Sequence, residues 1–123
     1  MPYSSQWEPG GVYRRYTGVV SGVELIEASL DMYADSRFDD IHYLIADFSQ
    51  VDGFEITMEE VEKLAHFNTA AAKTNGNVKT ALVLTDDHAK GLVSIYDIVA
   101  QANNSPWENK VFATVEHARR WLD

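Results

Sequence analysis

A nearly unbroken apolar run, Ile41-His42-Tyr43-Leu44-Ile45-Ala46, lies in the middle of this 123-residue chain. A strand with one solvated face alternates apolar and polar residues, so a continuous run predicts a strand buried on both faces, which is typical of parallel sheets. A second run of the same character spans residues 79–85. The helical segment between the two runs supplies the crossover that a parallel pair requires. The pattern therefore predicts an α/β domain.

The N-terminal segments predict an antiparallel hairpin ahead of these parallel units. Residues 3–7 can extend, and Glu8-Pro9-Gly10-Gly11 is a turn, because proline presets φ and glycine supplies a positive φ. Residues 12–20 are rich in β-branched and aromatic side chains, as strands are. The expected sheet is mixed, with the N-terminal hairpin followed by parallel βα units and right-handed crossovers. How the helices divide between its two faces stays open.

Four helices are predicted from their N-terminal caps. Ser21 and Thr57 each stand three residues before a glutamate, which is the capping-box pattern. Asp86 and Thr114 are the N-caps expected for the third and fourth helices. The first helix is expected to bury one apolar stripe at helical spacing, made of Val23, Ile26, Leu30 and Tyr33.

Two connections are also predicted. Residues 47–54 are expected to form a loop between the first parallel strand and the second helix. Asn75-Gly76-Asn77 is expected to end that helix, because asparagine and glycine tolerate the left-handed conformation.

The net charge of −9 and the pI near 4.7 exclude several classes of partner. Such a chain repels phosphate backbones and anionic lipids, so neither nucleic acid nor a membrane surface is expected as a partner. No apolar run approaches the roughly 20 residues of a membrane-spanning helix, and the N-terminus lacks a signal-peptide pattern. The absence of cysteine excludes disulfides and thiolate chemistry. We expect a cytoplasmic protein with one domain over residues 1–123.

No catalytic, metal or cofactor residue is predicted. Phosphate-binding glycine motifs and the nucleophile elbow are absent, and the four histidines are scattered. Glu62 and His66 share a helix face, but two ligands do not hold zinc. Unrecognised acid–base chemistry around Asp47 and Glu55 is the enzymatic hypothesis that stays open.

The segment Asp47-Phe48-Ser49-Gln50-Val51 resembles the strand-end pattern D-[LF]-S-x-V of STAS domains, the family of the sporulation anti-sigma-factor antagonists. A closer resemblance is to uncharacterised bacterial SpoIIAA-like proteins. It rests on three C-terminal segments, residues 91–96, 105–112 and 118–122. The resemblance implies a SpoIIAA-like α/β fold and a non-enzymatic regulatory role through protein partners.

The resemblance also places Thr57 at the position that a partner kinase phosphorylates in the family. It implies a switch or partner-binding loop, and the alternative for Thr57 is a plain N-cap. Because the loop is acidic, its partner is expected to be a protein with a basic surface. The candidate residues are Asp47, Ser49, Asp52, Glu55 and Thr57.

The third helix is apolar on more than one side, which indicates a second contact. Its candidate residues are Leu92, Val93, Tyr96 and Val99. They are expected either to form the interface of a homodimer or to line a pocket for a small apolar or lipid-like ligand. In the second case the loop Phe54-Glu55-Ile56 is a candidate gate. The two functional hypotheses are a regulatory interaction module and a lipid-type binding protein.

Overall fold

The computed structural model describes residues 3–123. The strands are β1 (Tyr3–Glu8), β2 (Gly11–Ser21), β3 (Tyr43–Glu55), β4 (Lys79–Val83) and β5 (Glu108–Phe112). The helices are α1 (Gly22–Ala34), α2 (Met58–Ala71), α3 (Asp87–Ala102) and α4 (Val115–Leu122), and a short 3₁₀ helix spans Ser36–Asp40.

The strands form one mixed sheet in the order β1-β2-β3-β4-β5. β1 pairs with β2 antiparallel through the turn at Pro9 and Gly10, and the other neighbours pair in parallel. The mixed α/β sheet with an N-terminal hairpin is therefore confirmed. The N-caps Ser21, Thr57, Asp86 and Thr114 each accept a backbone N–H of the first helical turn, as predicted.

Three helices cover one face of the sheet and one helix covers the other. Leu44 and Phe48 of β3 pack into the clusters that hold Met32 and Ala28 of α1. Ile45 points the opposite way and packs in the cluster of Ala118, because successive strand residues alternate between faces. Helices α1, α2 and α3 thus share one side, and α4 covers the other.

The predicted loop at residues 47–54 is wrong, since β3 continues through it to Glu55. The second half of β2 supplies the backbone partners, with Thr17 opposite Gln50 and Ser21 opposite Glu55. The register shifts twice along this stretch, and Gly18 lies beside the second shift with a φ of 70°. Glycine tolerates the conformation that such a bulge requires.

The predicted buried stripe of α1 is wrong at Val23 and Leu30, which are 56% and 45% exposed, whereas its last member, Tyr33, packs against the core. The buried residues of the helix are Gly22, Ala28, Ser29 and Met32.

The end of α2 does not use the left-handed conformation that was expected of residues 75–77. In residues 3–123, the one non-glycine residue with a positive φ is Asn104, after α3. Asn75 is buried instead, and its Nδ2 donates to the carbonyl oxygens of Phe38 and Ile41, both at 2.8 Å. A side chain therefore joins the end of α2 to the 3₁₀ segment.

Candidate functional site

The five residues of the predicted switch loop do not form one group. Asp47 is only 3% exposed and lies on the α4 face of the sheet, where the Tyr13 hydroxyl donates to its Oδ2. The Ser49 N–H donates to Asp47 Oδ1 at 2.9 Å. Burial and the bond to Asp47 raise the pKa of Tyr13 to about 12. Asp47 therefore contacts Ser49 but is buried, whereas Asp52, Glu55 and Thr57 are exposed.

The exposed members of the set lie where β3 ends and α2 begins. Asp52, Glu55, Thr57 and Glu59 are all exposed, and we call these four residues the acidic corner. Ser49 is exposed as well, further back on β3. The helix dipole favours the negative charge of Glu59 in the first turn of α2.

Thr57 forms a complete capping box with Glu60. The Glu60 N–H donates to Thr57 Oγ1 at 3.2 Å, and the Thr57 N–H donates to Glu60 Oε1 at 2.9 Å. The Thr57 hydroxyl also donates to Glu60 Oε1 at 3.1 Å. Gly22 provides the space for this carboxylate, because a Cβ there would lie 2.4 Å from Glu60 Cδ. Thr57 therefore acts as an N-cap while its side chain stays exposed.

A cavity of about 120 Å³ lies between the sheet and helices α1 to α3. Leu92, Val93 and Tyr96 line it, as do Phe54 and Ile56. Val99 is not among its lining residues, and Glu55 is exposed. Three of the four candidate residues of α3 therefore line the cavity, and Val99 does not.

The cavity contains polar groups that the sequence did not single out. Arg14 lines it from β2, and Asn68 Nδ2 donates to the Tyr96 hydroxyl at 2.6 Å. Burial raises the pKa of Tyr96 to about 12. The sequence held one indication that Arg14 is buried. In an alternating strand it shares a face with the apolar Val12 and Tyr16, two residues away on either side.

Within residues 3–123, no three His, Asp or Glu side chains gather into a group that could hold a metal ion. His42 was predicted inside a buried strand, but it is exposed and precedes β3. Over the same residues, no helix is long and apolar enough to cross a membrane.

No family model matches the chain, and no curated protein sequence matches it. Solved structures do match. The unphosphorylated anti-sigma factor antagonist SpoIIAA superposes with a TM-score of 0.63 at 12% identity, over 98% of this chain and 96% of its own. The phosphorylated form of the Bacillus cell fate determinant SpoIIAA gives a TM-score of 0.60 at 10% identity, over 98% and 99%.

A third solved structure is an uncharacterised protein of the DUF3478 family from Shewanella loihica PV-4, described as having a SpoIIAA-like fold. Its TM-score is 0.59 at 13% identity, over 98% of this chain and 93% of its own. These three likenesses extend over nearly the whole length of each chain and include the hairpin, the parallel units and all four helices. The chain is a domain with the SpoIIAA-like fold.

Proposed function

We propose that this chain is a non-enzymatic regulatory module of the bacterial cytoplasm, which acts by binding another protein at the acidic corner. The observation that carries the proposal is the SpoIIAA-like fold over 98% of the chain, shared with a protein described as an anti-sigma factor antagonist. Fold alone does not define function, so the surface chemistry supplies the second part of the argument.

The acidic corner favours a partner with a basic surface. Asp52, Glu55 and Glu59 are exposed, and none of them makes an ion pair within the described residues 3–123. Unpaired carboxylates attract a basic partner and accelerate its association, and salt weakens this electrostatic attraction. The complex is therefore expected to weaken as the ionic strength rises.

Thr57 is the position at which this binding could be switched. Phosphorylation would add about −1.5 to −2 charges at pH 7, next to Glu55 and Glu59. The phosphate would also displace Glu60 from the capping box. Both effects change the charge and the shape of the acidic corner while the sheet behind it is untouched.

Partner capture tests this proposal. We expect Thr57→Glu to change the amount of bound partner about tenfold or more, while Thr57→Ser, which keeps the hydroxyl, behaves like the wild type. Tagged variants are used to purify partners from a cell lysate at low salt, and the captured proteins are quantified by mass spectrometry. Thermal melts of both variants establish that the domain stays folded.

A charge-matched pair of variants completes the test. Asp52→Lys combined with Glu55→Lys should abolish capture, whereas Glu27→Lys combined with Asp39→Lys alters the net charge equally at exposed positions elsewhere. If the two double variants capture the same proteins in the same amounts, the acidic corner is not the binding surface.

We further propose that the domain is a homodimer. Its interface is proposed on the outer side of α1 and not on α3 as the sequence suggested, because Leu92, Val93 and Tyr96 line the cavity. Val23 and Leu30 are seven residues apart and therefore lie on the same side of the helix, and both expose aliphatic side chains.

Light scattering at about 50 µM protomer is expected to give twice the mass of 13.8 kDa. Leu30→Glu should shift the mass toward the monomer, while Ile98→Glu, at an exposed position on α3, should not. A wild-type mass of 13.8 kDa at that concentration would refute the dimer.

A further inference from the structure

Arg14 is a buried cation. It lies on β2 and is 3% exposed, enclosed by β1, the sheet and α1. Its Nε donates to Ser5 Oγ at 3.2 Å, and its Nη2 donates to the Ala28 carbonyl oxygen at 3.1 Å. The Tyr3 ring lies 5.9 Å from the guanidinium carbon. All of these partners are neutral.

Arg14 has no carboxylate partner among residues 3–123, where the ion pairs are Arg37–Asp35 and Arg119–Glu8. Removing a charge from water costs several kcal/mol unless a counter-charge or a full set of hydrogen bonds offsets the loss. A guanidinium has five N–H donors, which is more than Ser5, Ala28 and the neighbouring Tyr16 hydroxyl accept. Arg14 therefore retains donor capacity and has no ion-pair partner among the described residues.

The cavity beside Arg14 is mostly apolar. Its walls come from the sheet, from the end of β3 and from all three helices of that face, and they include Leu25, Phe48, Leu64, Leu82 and Val93. A cavity of about 150 Å³ lined by apolar side chains binds benzene, so the 120 Å³ found here suits a ligand of similar or slightly smaller size.

Glu60 restricts the charge that such a ligand can carry. It lines the cavity, and its carboxylate is bound in the capping box. A negative group on the ligand is therefore favoured at Arg14 and disfavoured at Glu60, while the apolar walls accept a tail.

We propose that this cavity binds a small monocarboxylate with a short apolar tail, and that Arg14 binds the carboxylate. The guanidinium fork matches a carboxylate in geometry and charge. A neutral ligand of the same shape would leave the charge of Arg14 uncompensated. The inference does not depend on the proposed function, because no residue of the acidic corner lines the cavity.

Butyrate and butyramide form a matched pair of probes, since they have the same number of non-hydrogen atoms and differ in charge. In titrations followed by methyl NMR of the full chain, butyrate is expected to bind about tenfold more tightly than butyramide. Intermolecular contacts should connect the butyrate methyl group to the methyl groups of Leu92 and Val93. Equal affinities for the two probes would overturn the proposal, as would the absence of these contacts at saturating butyrate.

Two arginine variants localise the charge effect. Arg14→Met keeps much of the side-chain volume and should abolish the preference for butyrate over butyramide. Arg15→Met, on the adjacent and exposed position of β2, should preserve that preference. Equal losses of the preference in both variants would show a general charge effect and overturn the assignment.

A cavity-filling variant tests the site if Arg14→Met fails to fold. Val93→Trp fills the cavity from α3 and is expected to abolish the binding of both probes. Retained binding in this variant would overturn the site.

Discussion

Replacing Trp107 with alanine is expected to lower the free energy of unfolding by about 3–5 kcal/mol, the usual range for removing a buried aromatic side chain. Trp107 is 7% exposed and belongs to the cluster that joins β2, α1 and the 3₁₀ segment. Its ring centroid lies 6.1 Å from that of Phe38 and 6.4 Å from that of Tyr33. Its Nε1 donates to the Asn75 carbonyl oxygen at 2.7 Å. Urea denaturation followed by circular dichroism measures the loss.

Two further tryptophan variants separate the contributions to this effect. Trp107→Phe keeps most of the packing but leaves the Asn75 carbonyl without its donor, which costs about 1–3 kcal/mol. Trp121→Ala, in the partly exposed last turn of α4, should cost less than Trp107→Ala. A smaller loss for Trp107→Ala than for Trp121→Ala would contradict the assignment of Trp107 to the core.

Replacing Asn75 with alanine is expected to cost about 3 kcal/mol, because each unsatisfied buried polar group costs about 1–3 kcal/mol. The Asn75 amide donates to two carbonyl oxygens, and its Oδ1 accepts the Asn77 N–H at 3.1 Å. The substitution removes these three bonds and leaves a small void. The Trp107 bond uses the Asn75 backbone and should survive. The same denaturation experiment measures the effect.

Asn103 offers a matched control for this substitution. Its Nδ2 also donates to a carbonyl oxygen at 2.8 Å, that of Val99, but at an exposed position where water can replace the bond. Asn103→Ala should therefore change the free energy of unfolding by no more than about 0.5 kcal/mol. Similar losses in the two variants would contradict the structural role given to Asn75.

The elements that depend on local chemistry could be predicted from the sequence. Thr57 and Thr114 begin helices because a hydroxyl one residue before the helix satisfies a free N–H whatever the surroundings are. The apolar run before Asp47 predicted a buried parallel strand, because a continuous apolar run of only six residues is short for a helix and typical of a strand covered on both faces.

The elements that depend on distant partners could not be predicted. Asp52 and Gly53 are turn residues by propensity, yet both lie within β3, where Gly53 pairs with Val19 and Asp52 is skipped at the second register shift. In α1, apolar residues occupy more than one side, so periodicity identified the helix but not the side that faces the sheet.

The candidate site could be predicted only in part. The acidic residues and Thr57 were grouped as a candidate site because they are neighbours in sequence, and their role stays a prediction. The cavity and the isolation of Arg14 arise where three helices meet the sheet, and no spacing along the chain encodes the volume left between them. Asp47 was grouped with Thr57 because the two are close in sequence. The alternation of β3, however, directs the Asp47 side chain to the face of the sheet that α4 covers.

The extension of β3 creates an open sheet edge. β4 pairs with β3 only as far as Asp47, so from Phe48 to Glu55 the strand pairs with β2 on one side and with no strand on the other in the part of the chain that the structure describes. An open edge can recruit a strand from a second molecule and begin aggregation. Asp52 and Glu55 would place like charges beside each other in such a pairing, and the two register shifts bend the strand. Their charges therefore oppose the pairing of two copies along this edge.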